Sequence, residues 1–188
     1  MSQSFVSLTK KCCGTIIRRV QGTGKYRLIA KNLRPSIQLI DFCQRAKIKI
    51  PRALNLGDQL AETSSIPGVT NYLALRKNTV VGFVQLVRHP PEHFPYVGYW
   101  LFGLTVSTPW RGMGIGEALT LKVMQQAEAE GASELLLLVA EDNWPALKLY
   151  DKLGFEKTVI PALESQLEEE RLVRGKRRLV MRTALPGS

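Results

Sequence analysis

Arg111-Gly112-Met113-Gly114-Ile115-Gly116 places glycine at three alternate positions directly before a helical pattern. A turn of that kind can aim several backbone N–H groups at one anion, while the helix that follows adds the positive end of its dipole. Glycine removes the side chains that would keep a pyrophosphate away from the backbone. The spacing is G-x-G-x-G, so the dinucleotide fingerprint G-x-G-x-x-G is not met, because Glu117 follows Gly116. Gly24-Lys25-Tyr26 lacks both the Ser/Thr and the upstream Gly of a Walker loop, since Arg19 stands where that Gly belongs. Cys12, Cys13 and Cys43 lack the paired spacing of a zinc site, and free thiols are the expectation.

The elements around this turn alternate strand and helix. Tyr26 to Ala30 reads as a strand. Pro35 starts a helical stretch with Ile37, Ile40 and Ala46 on one face, and a second helix is expected over Leu54 to Glu62. Asn71 to Arg76 and Val80 to Val87 form a hairpin about Lys77-Asn78. The segment from His89 to Pro95 holds three prolines and is expected to be a loop. Val97 to Val106 is an apolar strand, and Ile115, Leu119, Val123 and Ala127 recur every fourth residue to Gly131, the expected helix stop. Leu135 to Ala140 is uniformly apolar, which implies burial on both faces and a parallel partner. Asn143 then caps a last helix with Pro145 in its first turn and Gly154 as its stop. Two tail strands, Lys157 to Ile160 and Arg178 to Thr183, are expected to flank the acidic stretch Glu164 to Glu170, with Arg174 to Arg178 as a charged hairpin turn.

Leu104 to Gly116, followed by Asn143 to Phe155, resembles the GNAT family of N-acetyltransferases. Arg111, Gly114 and Gly116 match its pyrophosphate loop, (Q/R)-x-x-G-x-(G/A). Asn143, Ala146, Tyr150, Gly154 and Phe155 match its helix N-x-x-A-x-x-x-Y-x-x-x-G-F. The resemblance implies an α/β fold, with a mixed sheet of about six to seven strands, two splayed central parallel strands and about four flanking helices. It also implies the chemistry: acetyl transfer from acetyl-CoA to a primary amine by direct attack in a ternary complex, without a metal. Backbone groups of Leu104, Thr105 and Val106 would pair with the pantetheine arm, and the Val106 N–H would stabilise the oxyanion. Arg111, Gly112, Met113, Gly114, Ile115 and Gly116 would hold the pyrophosphate, Asn143 would bond the pantetheine, and Tyr150 would protonate the leaving thiolate. On its own, Tyr150 also reads as a core residue on the stripe of Ala146, Leu149 and Leu153. Trp100-Leu101-Phe102-Gly103-Leu104 lacks the strand carboxylate that several members use as base. Glu141, Asp142, Glu92, His89, His93 and a water relay all stay open for that role. Trp100, Trp110 and Trp144 fall around the proposed cofactor cleft, though core packing alone would also employ them, and that plainer reading is preferred.

Composition bounds the alternatives. The chain has 188 residues, 45% of them hydrophobic and 22% charged, the balance of a soluble globular protein. A basic arm or extra strand over residues 1–24 and one domain over 25–188 are expected. The longest uncharged stretch, Phe94 to Trp110, is broken by Pro and Gly and cannot span a membrane as a helix. Residues 1–40 contain no acid, the composition of an organelle transit peptide, but no secretory core segment is present, and a cytoplasmic protein is expected. The formal net charge of +10 lies in residues 1–60, which carry 12 Lys and Arg against Asp41 and Asp58; residues 61–188 carry 14 charges of each sign. That distribution excludes a uniformly basic nucleic-acid coat, leaves a basic nucleic-acid face on residues 1–60 as a weaker reading, and favours either an acidic amine acceptor met by Arg34, Arg45, Lys47, Lys49 and Arg52 or a docking face for an acidic partner. The family further implies a homodimer. The rival reading is a non-catalytic acyl-CoA-binding module of the same fold.

Overall fold

The computed structural model describes residues 15–18, 27–32, 43, 44, 46–51, 54 and 68–186. Strands Thr15–Arg18 (β1) and Arg27–Asn32 (β2) lead antiparallel into the hairpin Val69–Arg76 (β3) and Thr79–His89 (β4). Strand Gly98–Val106 (β5) pairs antiparallel with β4 and parallel with Glu134–Ala140 (β6). Beyond β6 come Arg178–Ala184 (β8) and the short edge strand Glu156–Thr158 (β7), both antiparallel to their neighbours. The order is β1-β2-β3-β4-β5-β6-β8-β7, one mixed sheet whose single parallel pair lies at its middle. It has eight strands rather than six to seven. Three helices lie among the described residues: Ile115–Ala129 (α1), Trp144–Lys152 (α2) and Pro161–Arg174 (α3). The helices expected from Pro35 and over Leu54 to Glu62 fall almost wholly outside the described residues.

Each face of the sheet buries a helical stripe. Ile115, Leu119, Val123 and Ala127 of α1 are all but fully buried and pack with Tyr150 and Phe155 on Ala74, Leu86, Leu101, Leu135 and Leu137. Each Ile, Leu or Val on that stripe contributes about 1.5–3 kcal/mol by leaving water. Gly131 ends the helix at φ +82° and Gly154 ends α2 at φ +80°, backbone that L side chains rarely adopt. On the opposite face, Leu163 and Leu167 of α3 cover Trp100, Leu136 and Val180. Cys43, Ile48 and Leu54 cover Leu73, Leu75, Val80 and Phe83.

The tail departs from the expected hairpin. Residues 161–174 form α3, so the Asn143-capped helix is not the last, and the first tail strand is only Glu156–Thr158. Glu168 pairs with Arg171, and Glu170 with Arg174 and Arg178, so the charged residues decorate a helix rather than a turn. The signals are ordinary ones: Pro161 in the first turn, Glu164 beside it, basic Arg171 and Arg174 in the last turn, and Gly175 at φ +68°. A second departure is at His89, which ends β4 instead of starting the proline loop; the loop proper begins with a single 3-10 turn at Pro91–His93.

Candidate active site

Strands β5 and β6 touch along a short stretch and then part. Their parallel register holds for Trp100↔Leu136 and Leu101↔Leu137, whereas β6 stays paired to β8 through Ala140 and β5 stays paired to β4 through Val106. The cause lies in β5. Between the pairs Gln85↔Phe102 and Phe83↔Thr105, β4 contributes only Val84 while β5 contributes Gly103 and Leu104, and Gly103 has φ +62°. This is a β-bulge, which bends its strand and opens the ladder locally.

The bulge also sets which backbone groups face the opening. The Ser107 N–H donates to the Val81 carbonyl at 2.9 Å, directly across the β4–β5 ladder. Antiparallel alternation then makes Gly82↔Val106 a non-hydrogen-bonded pair. The Val106 N–H and C=O therefore turn away from β4, toward the side that β6 has left. The main chain of Thr105, one residue back, faces Phe83 instead. The Val106 carbonyl accepts from Arg111 Nε at 3.0 Å.

Arg111 belongs to the Gly-rich turn, which opens α1. Gly112 and Gly114 have φ of +74° and +76°, and a Cβ at either would meet nothing within 4 Å, so open space lies in front of the turn. Gly114 is the N-cap and offers no capping side chain; the first helical bond runs from Ala118 N–H to Gly114 C=O. The N–H groups of Ile115, Gly116 and Glu117 thus have no acceptor within the helix. Met113 is exposed. Gly116 lies where three elements converge: its Cβ would sit 3.4 Å from Leu149 Cδ2 of α2 and 3.8 Å from Val106 Cγ2 of β5. Glu117, the acid in that first turn, bonds Lys152 Nζ at 2.8 Å, which offsets its charge beside the anion cradle.

Asn143 accepts from Ala146 N–H at 3.4 Å and so caps α2. Tyr150, two turns on, is buried against Phe155, with ring centroids 5.6 Å apart. Among the described residues its hydroxyl has no hydrogen-bond partner, and burial pushes the phenol above its ordinary range. It stays protonated throughout the neutral and mildly alkaline range. The structure thus gathers Val106, the Gly-rich turn and the α2 helix of Asn143 and Tyr150 on one side of the sheet.

Other candidates separate. Trp100 is fully buried on the face covered by α3, with Nε1 donating to Val97 C=O at 3.0 Å, so it does not line the cleft. Trp144 is exposed at the start of α2, and Trp110 packs under the Arg76 guanidinium at 5.9 Å. His89 is buried among Tyr96, Trp100 and Phe102, and its Nδ1 lies 3.4 Å from His93 Nδ1. Burial, aided by His93, pulls its pKa down to about 4. Glu92 is exposed in the 3-10 turn. Glu141 and Asp142 stand exposed at the end of β6, Asp142 paired with Lys176 at 3.1 Å. Arg34, Arg45, Arg52, Cys12 and Cys13 lie outside the described residues, while Lys47 and Lys49 are exposed. Gly82 and Gly103 went unmarked among the site residues. A glycine inside a strand pattern is a signal for a bulge or a close approach, and here it marks both.

The chain matches the model of the acetyltransferase (GNAT) family over residues 39–155, more than half its length, and belongs to that family. It is 37% identical to the mycothiol acetyltransferase of Corynebacterium glutamicum (strain R) over 76 residues, 40% of this chain but only 24% of that protein. Among solved structures it resembles a GNAT-family acetyltransferase of Staphylococcus aureus Mu50, with TM-score 0.57, 19% identity and coverage of 86% and 99% of the two chains. A Bacillus anthracis str. Ames chain assigned as a streptothricin acetyltransferase, solved with acetyl coenzyme A, superposes with TM-score 0.53 and 21% identity over 67% and 68%. These likenesses establish the fold. Among the described residues, no helix is long and apolar enough to cross a membrane, and no three His, Cys, Asp or Glu side chains gather as a metal site.

Proposed function

We propose that the protein is an acetyl-CoA-dependent N-acetyltransferase that moves the acetyl group directly to a primary amine within a ternary complex. The observation that carries this reading is the parting of β5 from β6 beside the Gly-rich turn, with the Val106 N–H facing the gap and unused by the ladder. Acetyl-CoA bound to a family neighbour of the same fold supports the donor. The pyrophosphate would lie on the N–H groups of Gly112 to Gly116, and the pantetheine arm along β5, near Leu104, Val106 and Asn143.

The chemistry follows from the groups present. An amine, having lost its ammonium proton, attacks the thioester carbon; the C–N bond forms, and the carbonyl oxygen becomes an oxyanion held by Val106 N–H. One well-aimed donor of this kind is worth about 2.7–4 kcal/mol. As the C–S bond breaks, the electron pair leaves on sulfur and Tyr150 supplies a proton to the thiolate, while the proton that the attacking nitrogen loses on becoming an amide passes through water and restores the phenol. With no carboxylate on β5, the ammonium proton leaves through water, with the exposed Glu141 and Asp142 just past the end of β6 as candidate acidic outlets.

A small-molecule acceptor is supported by relatives named for acetylating mycothiol and streptothricin. An acidic acceptor rests on the net charge of residues 1–60, and a cytoplasmic monomer or dimer of one domain is compatible with it. The test is thiol release from acetyl-CoA against a panel of polyamines, aminoglycosides, amino acids and peptide N-termini. Amine-dependent release that is lost in Tyr150→Phe supports the enzyme. Acetyl-CoA binding with no release across the panel would assign the chain as a binding module instead.

A further inference from the structure

The Arg111 side chain bridges the phosphate-side turn and the strand end that carries the oxyanion donor. Its Nε donates to the Val106 carbonyl at 3.0 Å. The same peptide unit is gripped on its other side, since the Ser107 N–H donates to Val81 C=O at 2.9 Å. Val106 is thus held from β4 and from the turn at once, at the place where β6 no longer supports it. Without the Arg111 bond, the Val106–Ser107 peptide at the end of a strand bent by a bulge would keep one anchor only, the bond from Ser107 N–H to Val81 C=O. From this geometry we infer that Arg111 is a positioning residue: its Nε holds the Val106–Ser107 peptide and so fixes the backbone angles of Val106, whose N–H on the preceding peptide then points at the acyl oxygen, a role separate from any contact of its charge with phosphate. The inference rests on the proposed acetyl transfer.

Two substitutions separate the roles by the atoms they retain. Gln carries an N–H donor on the atom that occupies the place of Arg Nε, but has no charge. Lys keeps the charge and has a methylene at that place. A positioning role predicts that Arg111→Gln loses less kcat at saturating acetyl-CoA than Arg111→Lys does, while its acetyl-CoA Kd rises. Arg111→Lys should keep Kd and lose kcat by about tenfold to a hundredfold, the scale of a small misplacement in a catalytic site. A kcat for Arg111→Gln at least fivefold above that of Arg111→Lys supports the inference; any smaller ratio overturns it.

If no amine is turned over by the wild type, the acetyl-transfer reading fails while the positioning inference is still decided, by hydrogen exchange at the Val106 amide with saturating acetyl-CoA. Exchange at least fivefold slower in Arg111→Gln than in Arg111→Lys supports it. A smaller difference between two folded, saturated variants overturns it.

Discussion

Gly82 lets α1 lie against the sheet, and its replacement by alanine has a calculable consequence. A Cβ at this position would sit 2.8 Å from Ile115 Cγ2 and 3.0 Å from Leu119 Cδ1, closer than carbon atoms tolerate. Both partners are fully buried, branched side chains of the first two turns of α1, packed on Ala74 and Leu86, so neither can rotate away. Overpacking of this size costs about 1–3 kcal/mol. Alanine recovers about 0.5–1 kcal/mol by restricting the unfolded chain, since Gly82 is not among the glycines with positive φ. The two ranges leave a net loss of about 0–2.5 kcal/mol, and a value at the middle, about 1 kcal/mol, lowers Tm by roughly 2–4 °C for a chain of this size. Because the displaced turn is the one that follows Gly112 and Gly114, the acetyl-CoA Kd should rise as well. Thermal unfolding with and without acetyl-CoA reads both effects. A Gly82→Ala protein with wild-type Tm and wild-type acetyl-CoA affinity would refute the close packing of α1 on β4 and its control of the phosphate turn.

Tyr150→Phe should lower kcat by about 10²–10⁴-fold, the range for a general acid, and leave the acetyl-CoA Kd unchanged, as steady-state kinetics and calorimetry would show. Because burial raises this phenol, the wild-type kcat should hold up to about pH 10 on the acid's account, and the group's contribution to stability is present below pH 10 and lost as pH rises beyond it. His89 acts in the opposite sense: a pKa lowered to about 4 from 6.5 makes stability fully present above about pH 6.5 and progressively lost as pH falls toward 4. His89→Leu should flatten that acid limb in denaturant titrations, since it removes the imidazole that must charge on acidification. Acetyl-CoA at a hundredfold excess over Kd should stabilise the wild type by about 2.7 kcal/mol. Gly114→Asp, which puts a carboxylate into the cradle at φ +76°, should abolish most of that gain in a thermal-shift assay.

The parts of the fold that show in the sequence are those where one interaction dominates. The stripe of Ile115, Leu119, Val123 and Ala127 faces a single apolar sheet, and Gly131 ends it, so periodicity and terminator agree. Asn143 likewise announces α2 through the cap it makes. The region 161–174 hid a helix because its buried stripe is just Leu163 and Leu167; Leu172 and Val173 are exposed, and the acidic run reads equally as solvated turn. Trp100 was drawn toward the cleft by its position on the site strand, but side chains alternate faces, and its neighbour Leu101 is the one that packs beneath α1. The Arg111–Val106 bond and the direction of the Val106 N–H depend on a bulge at Gly103, whose register shift exists only once β4 and β5 pair. The motif residues were legible; the backbone that gives them work to do was not.

The structure of the protein with bound acetyl-CoA tests the account most directly. It should place the pantetheine arm in the gap between β5 and β6, the pyrophosphate on the turn from Gly112 to Gly116, and the thioester oxygen about 2.7–3.1 Å from the Val106 nitrogen. A complex in which the thioester lies outside that gap, with Val106 N–H bonded to water or to another protein group, would contradict it.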